Sequence, residues 1–534
     1  MNVQKIGLSR WGVLKIAIVV ILLILVLFII YLSSQQQKVQ SQLTIPYASP
    51  QKKVILIIVD SLMNEPLQKA ITEDKAPAMK YLINNGRYYP KVVSSYPTMS
   101  VTIDSTLLTG TYSDQHKVPA LVWYDEKEKR FISYGSDKKE ILKLGPKQVL
   151  QNSLSQLNEK QLSDQVKTIH EELDENGLQS ASINALIFRG NRSHKLQVPR
   201  LMQFFRFLKK DAPIKGATYF SYGLLSKINP ENTHTHLWNG FGFNDKFATE
   251  EMKYLIEKDR VPSFSLVYFS DNDKKVHKKG VNETKGIEEA DKKLQSLFNS
   301  YGSWEEALKD NIWMVMGDSG QTHIKGEKEA ALIDLRKLLN GYKIYRINKP
   351  IQKDDQIVLG LNERMSFIYT LDNTIKHESL ARQLQSDDRI DTIAWREGNT
   401  VNVISGTREE ELSFRSNGKY TDTFGQSWDI EGDPQALDLS INKDGLISYG
   451  DYPDALARLY SSFYSHTGSY IIANTKPGYE FIGEGSPTHV GGASHGSLHE
   501  EDSFFPIIVS GTDLEPEHLR MVDVKEWIMR MLKG

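Results

Sequence analysis

The chain has 534 residues, 40% apolar and 25% charged, enough to bury a large core in one domain or several. A formal net charge of -2 offers no broad basic surface and argues against nucleic acid as a principal partner. Cysteine is absent, which excludes disulfides, thiolate metal sites and a cysteine nucleophile.

The first element is apolar. Residues 16–32, IAIVVILLILVLFIIYL, form an uninterrupted run of 17, close to the roughly 20 that span a bilayer. Lys5, Arg10 and Lys15 precede it, and the Gln-rich segment that follows has no small-residue cleavage pattern. The expectation is an uncleaved single-pass anchor in the cell membrane. Residues 1–15 would be cytoplasmic, 33–51 a stalk, and 52–534 an extracytoplasmic folded domain.

The stalk leads into KKVILIIVDS, where residues 54–59 are all apolar, as suits a strand buried on both faces of a parallel sheet, with Asp60 at its end. Next comes YPTMSVTIDSTLLTGTYSDQH, which sets several hydroxyls after a proline and ahead of a predicted helix over residues 104–108. Such a hydroxyl could be a simple cap or, near cations, a nucleophile. A second strand is predicted at residues 181–188 (ASINALIF). A third, SFSLVYF, releases Asp271, Asp273 and His277 within seven positions. Asp273 and His277 are four apart, so one helical turn or a tight loop could bring both to one cation.

The stretch GIEEADKKLQSLF then places Ile287, Ala290, Leu294, Leu297 and Phe298 on one helical face, and NIWMVM runs into Asp318. Near the end, GGASHGSLHEED sets His495 among small residues just before another apolar strand. Strands alternating with helices, with polar residues at the strand ends, predict an α/β fold whose site lies outside the carboxyl ends of the strands.

Five blocks in this order, VILIIVDS, YPTMSVTIDSTLLTG, NDKKVHKKG, MVMGDSGQ and ASHGSLHEED, followed by MVDVKEWI, resemble the alkaline phosphatase superfamily. Within it the match is to the type I phosphodiesterase/nucleotide pyrophosphatase group. The resemblance covers residues 52–534 as a framework. It implies a central, mostly parallel sheet flanked by helices, with inserted cap elements within about 125–250 and 325–480. It also implies two divalent metal ions, Zn²⁺ or Mn²⁺. One is held by Asp273, His277 and His495, and the other by Asp60, Asp318 and the nucleophile, which spacing from Thr109-Gly110 places on Ser100, with Thr98 as a structural neighbour. The implied chemistry is two displacements at phosphorus through a phosphoseryl intermediate, on a phosphodiester or phosphomonoester substrate.

Two departures stand out. Asp318-Ser319-Gly320 replaces the family's Asp-His-Gly, so the second metal loses an imidazole; Ser319 is a poor substitute, and His323 could fold back to supply one. Leu121 stands where nucleotide-acting members keep an asparagine, which counts against nucleotide pyrophosphatase activity in particular. The rival readings are a transferase moving a phospho-headgroup onto a cell-envelope acceptor, and a non-catalytic envelope protein with the same fold. A sulfatase is disfavoured because no C-x-P-x-R or S-x-P-x-R motif occurs. His234, His236 and His499 read as loop histidines, and no protein partner can be inferred.

Overall fold

The computed structural model describes residues 52–136, 138–204, 208–406 and 411–533. The predicted anchor at 16–32 and stalk at 33–51 lie outside them, and among the described residues no helix is long and apolar enough to cross a membrane.

The central sheet has seven strands: β1 (Lys53–Val59), β2 (Gly86–Val93), β3 (Ser180–Ile183), β4 (Tyr219–Ser221), β5 (Phe264–Phe269), β6 (Asn311–Met316) and β7 (Phe504–Ser510). Their spatial order is β2-β7-β6-β1-β5-β3-β4. The five strands from β6 to β4 are mutually parallel; β7 runs antiparallel to both β6 and β2. The mostly parallel α/β sheet expected from the apolar runs is therefore present.

Strand β1 sits in the middle, paired with β5 and β6, which is why residues 54–59 are all 0% exposed. Alternation sorts its side chains between the two faces. Val54, Leu56 and Ile58 join a cluster with Val101, Leu107 and Trp527, on α1 (Ser100–Thr109) and α5 (Met521–Lys533). Ile55, Ile57 and Val59 pack with Met252, Leu294 and Leu297, on α2 (Asp245–Glu257) and α4 (Lys285–Asn299). Helix α1 is longer than the five residues expected and ends where Gly110 turns left-handed at φ 65.

Strand β3 is shorter than the predicted 181–188. Asn184 adopts φ 58 and uses its amide to donate to the Gly242 carbonyl and to accept from the Gly223 N–H. Its side chain thus takes over from the ladder, and the apolar residues beyond are buried as a loop.

A second, nine-stranded sheet lies between β6 and β7 in the chain, from Ile357–Asn362 to Tyr470–Thr475. It is largely antiparallel and packs on the helix His377–Gln385. The turn between its first two strands reaches the loop ahead of β7. There the Arg364 N–H donates to the His495 carbonyl (3.0 Å), and the fully buried guanidinium pairs with buried Asp502. The same guanidinium donates to Thr322 Oγ1 (2.6 Å) and the Thr475 carbonyl (3.0 Å), so one arginine joins three segments.

Candidate active site

The site forms where β1, β5 and β6 end, because each apolar strand gives way to carboxylates that need polar partners. After Asp60, Ser61 turns left-handed (φ 56), which aims its N–H at Asp318 Oδ1 (2.8 Å) and its hydroxyl at Asp273 Oδ1 (2.9 Å). Gln321 Nε2 donates to the same hydroxyl (2.7 Å) and to Asp273 Oδ1 (2.8 Å). Buried Asn272 donates to the carbonyls of Asp60 and Ser61. The three strand ends are thereby stitched into one rigid floor.

Helix α3 (Asp271–Lys279) begins directly after β5 and sets Asp273 Oδ1 3.1 Å from His277 Nε2, one turn on. His277 Nδ1 donates to the Ala493 carbonyl (2.8 Å), which fixes the ring and leaves Nε2 for the site. His495 donates through Nδ1 to the Thr98 carbonyl, and its ring centre is 5.3 Å from that of His277. Ligand atoms of Asp273, His277 and His495 all lie within 4.8 Å of one another. Burial alone would lower the His277 pKa, yet Asp273 and Glu363 push it up to about 10. Burial would raise the Asp273 carboxyl, but the His277 and His495 rings hold it below its ordinary range.

Next to this cluster sits one that the sequence did not point to: His277, Glu363 and His489 also place ligand atoms within 4.8 Å of one another. The His489 ring stacks on His277 at 4.3 Å and donates to Glu480 at 2.9 Å. Glu363 adopts φ 58 in the turn before Arg364 and accepts from the Ser494 hydroxyl (2.6 Å). The HxxxxxH spacing of His489 and His495 was a visible signal; Glu363, in an unremarkable turn, offered none.

The hydroxyl stretch is fastened to the same loop. Thr98 is fully buried, and its Oγ1 accepts from the Gly496 N–H (2.7 Å) while its carbonyl holds His495. Half-buried Ser100 opens α1, so its hydroxyl stands at the positive end of a ten-residue helix.

The remaining carboxylates face the strand ends. Asp60 Oδ2 accepts from the Tyr268 hydroxyl (2.8 Å), whereas Asp318 spends Oδ1 on the N–H groups of Ser61 and Ser319 and has no partner at Oδ2. Burial, reinforced by Asp318 and Asp273, drives the Asp60 carboxyl well above its ordinary range. The Ser319 hydroxyl is fully buried without a partner. His323 lies in the two-residue strand Thr322–His323 opposite Ala493 and is exposed; it does not join the Asp60–Asp318 pair.

These donors fit divalent cations: imidazoles and a carboxylate converge on one point, and the buried carboxylates of Asp60 and Asp318 stand beside it. A sequence model of type I phosphodiesterase/nucleotide pyrophosphatase matches residues 54–408, more than half the chain. The chain belongs to that family. The family's fold recurs in solved structures. Murine ectonucleotide pyrophosphatase/phosphodiesterase 5 has a TM-score of 0.53 at 14% identity, covering 90% of this chain and 95% of that one. The human counterpart gives 0.52 at 13%, with the same coverage. Phosphonoacetate hydrolase from Sinorhizobium meliloti 1021, in complex with phosphonoformate, gives 0.52 at 14%, covering 92% and 100%. No curated protein matches the chain.

Family membership makes the chain a relative of phosphoester hydrolases, and the site residues can be tested one by one. Replacing His277 by alanine is expected to remove about one bound divalent ion per chain. The metal-free variant should still fold but be less stable than the metal-free parent, because Asp273 stays buried after losing the imidazole that pairs with it at 3.1 Å. Metal analysis and denaturant titration check both; unchanged metal content refutes the role.

Proposed function

We propose that the chain is a metal-dependent phosphodiesterase or phosphatase, anchored by residues 16–32 with its folded domain outside the cytoplasm, that works through a phosphoseryl intermediate on Ser100. The observation that carries this is the stitching of the Ser100 stretch to the Asp273–His277–His495 cluster through Thr98, at the ends of the strands bearing Asp60 and Asp318.

The Ser100 oxygen bonds to phosphorus as the ester oxygen leaves, and a water then displaces Ser100 to release the phosphate product. Helix α1 presents its N-terminal N–H groups to the anionic phosphoryl group. Gln321, Asn272 and the Ser61 turn keep the carboxylates in register throughout. Divalent cations bound by the donors above would supply neutralisation of charge on the attacking and leaving oxygens.

An inactive variant of the murine relative has been solved with AMP, so a nucleoside monophosphate belongs in the first substrate panel. Leu121 is half-buried and packs against the core, which favours substrates held by contacts other than a polar group at that position. The test is turnover of bis(p-nitrophenyl) phosphate and p-nitrophenyl phosphate, abolished by EDTA and restored by Zn²⁺ or Mn²⁺. No turnover of either ester under any metal favours the non-catalytic reading, for which Ser319 is the supporting feature.

Orientation is tested separately. Protease added to intact cells is expected to digest the folded domain, since the basic residues precede the apolar run. Digestion that requires permeabilised cells reverses the topology.

A further inference from the structure

We propose that Glu363 and His489 form, together with His277, a second position for a zinc-like divalent cation, an alternative to the one at Asp273, His277 and His495. This rests on the reading of the latter three as the metal site of a hydrolase, and it adds two ligands to that site.

Ligand atoms of His277, Glu363 and His489 all lie within 4.8 Å of one another, as do those of Asp273, His277 and His495. Each set is two imidazoles and one carboxylate, and His277 belongs to both. The His489 ring stacks on that of His277 with centres 4.3 Å apart, closer than the 5.3 Å between His277 and His495. Glu363 Oε2 is 3.7 Å from His489 Nδ1.

All three rings are oriented in the same way. His277 Nδ1 faces the Ala493 carbonyl (2.8 Å), His495 Nδ1 the Thr98 carbonyl, and His489 Nδ1 a carboxylate oxygen of Glu480 (2.9 Å). Carbonyls and carboxylates accept, so each Nδ1 carries the hydrogen and each ring keeps its Nε2 lone pair for an ion. Glu480 is 1% exposed and also accepts the His489 backbone N–H (2.6 Å), which fixes this ring from two directions. Glu363 takes its hydrogen bonds from the Ser494 hydroxyl and the His495 N–H at Oε2. Among the described residues, neither Glu363 Oε1 nor His489 Nε2 has a hydrogen-bond partner.

Because His277 Nδ1 donates to Ala493, that ring has one lone pair to give. An ion on it is completed either by Asp273 and His495 or by Glu363 and His489, so the two positions are filled one at a time. Two imidazoles with one carboxylate suit Zn²⁺ or Co²⁺ better than Mg²⁺. The first position draws on α3 and the loop ahead of β7, whereas the second also takes in the turn between the first two strands of the antiparallel sheet.

The test measures zinc affinity by competition with a chromophoric chelator, counting only the ion that His277→Ala removes. The parent is expected to hold one such ion. His495→Ala should retain it, because Glu363, His277 and His489 remain. His489→Asn keeps an amide donor near the place of Nδ1 for Glu480 and removes Nε2. In the parent this change should leave the affinity nearly unchanged, since Asp273, His277 and His495 still hold the ion; in the His495→Ala chain it should weaken binding at least about tenfold. Glu363→Gln should follow the same pattern.

A His495→Ala chain without this ion, or one in which His489→Asn and Glu363→Gln cost nothing further, overturns the second position. Equal losses in both backgrounds overturn the ligand role of His489 and leave it a purely structural one, and two ions lost with His277→Ala overturn the exclusive sharing. Asp273→Asn, which also leaves the second set intact, takes the place of His495→Ala if that variant does not fold. If the combined variants do not fold, the single variant decides: loss of the ion overturns the proposal, and its retention supports it. A parent from which His277→Ala removes no ion overturns the metal-site reading itself, and is told apart because His495→Ala and His489→Asn are then equally without effect.

Discussion

Ser100→Ala is expected to lower turnover by roughly 10⁴-fold or more, to the background of the metal-loaded site, and to abolish any acid-stable phosphoprotein. Thr98→Ala should behave differently, although the two hydroxyls are only two residues apart. Thr98 is fully buried and already committed, accepting from the Gly496 N–H and holding His495 through its carbonyl. Losing its hydroxyl leaves the Gly496 N–H unsatisfied, a cost of about 1–3 kcal/mol in stability, with activity reduced through displacement of His495. The two variants therefore separate by readout: Ser100→Ala folds as stably as the parent and is inactive, while Thr98→Ala is less stable and retains phosphoenzyme formation. Phosphate trapped on Thr98 would move the nucleophile.

Arg364→Ala is expected to destabilise the fold by about 3–5 kcal/mol, the range found when one partner of a buried ion pair is removed. Both Arg364 and Asp502 have side chains with no exposure at all. Removing the guanidinium leaves Asp502 buried and charged, with Thr322 Oγ1 and the Ser497 N–H as its remaining donors. It also frees the Thr475 carbonyl and loosens the turn that holds the His495 carbonyl. Arg364→Lys should rescue little, since one ammonium cannot reach three partners from the planar fork's positions. In a double-mutant cycle, Arg364→Ala combined with Asp502→Ala should cost less than the two separately. A loss below about 1 kcal/mol for Arg364→Ala would mean that the junction does not hold the two sheets together.

Much of the central sheet was legible because a strand buried on both faces is apolar at nearly every position, as residues 54–59, 266–269 and 312–316 are throughout. The carboxylates that end those runs were legible for the same reason: Asp60, Asp273 and Asp318 interrupt an apolar pattern. Strand β3 was over-read because Asn184 has no signal in an apolar run until its side chain is seen bridging Gly223 and Gly242. The second sheet was not read at all. Its strands vary in length and burial, and pairing partners can lie far along the chain, as in Met365–Thr370 against Tyr470–Thr475. Within the site, Glu363 and Arg364 escaped notice because their roles come from a left-handed turn and a junction between sheets, neither of which has a residue pattern of its own.

The last strand of the central sheet is not an edge: β7 is hydrogen-bonded on one side to β2 and on the other to β6. During synthesis, then, the first strands cannot form their final sheet from the amino end onward. Until residues 504–510 have emerged, β2 and β6 flank an empty lane, and each presents unpaired backbone groups able to capture a strand from another nascent chain. His495 arrives only a few residues before β7, so the third ligand of the His277 cluster and the sheet's missing strand reach their places in the same late event. A chain cut at residue 408 would retain the whole matched span of the family model, yet it would be an aggregation-prone intermediate and not a smaller enzyme.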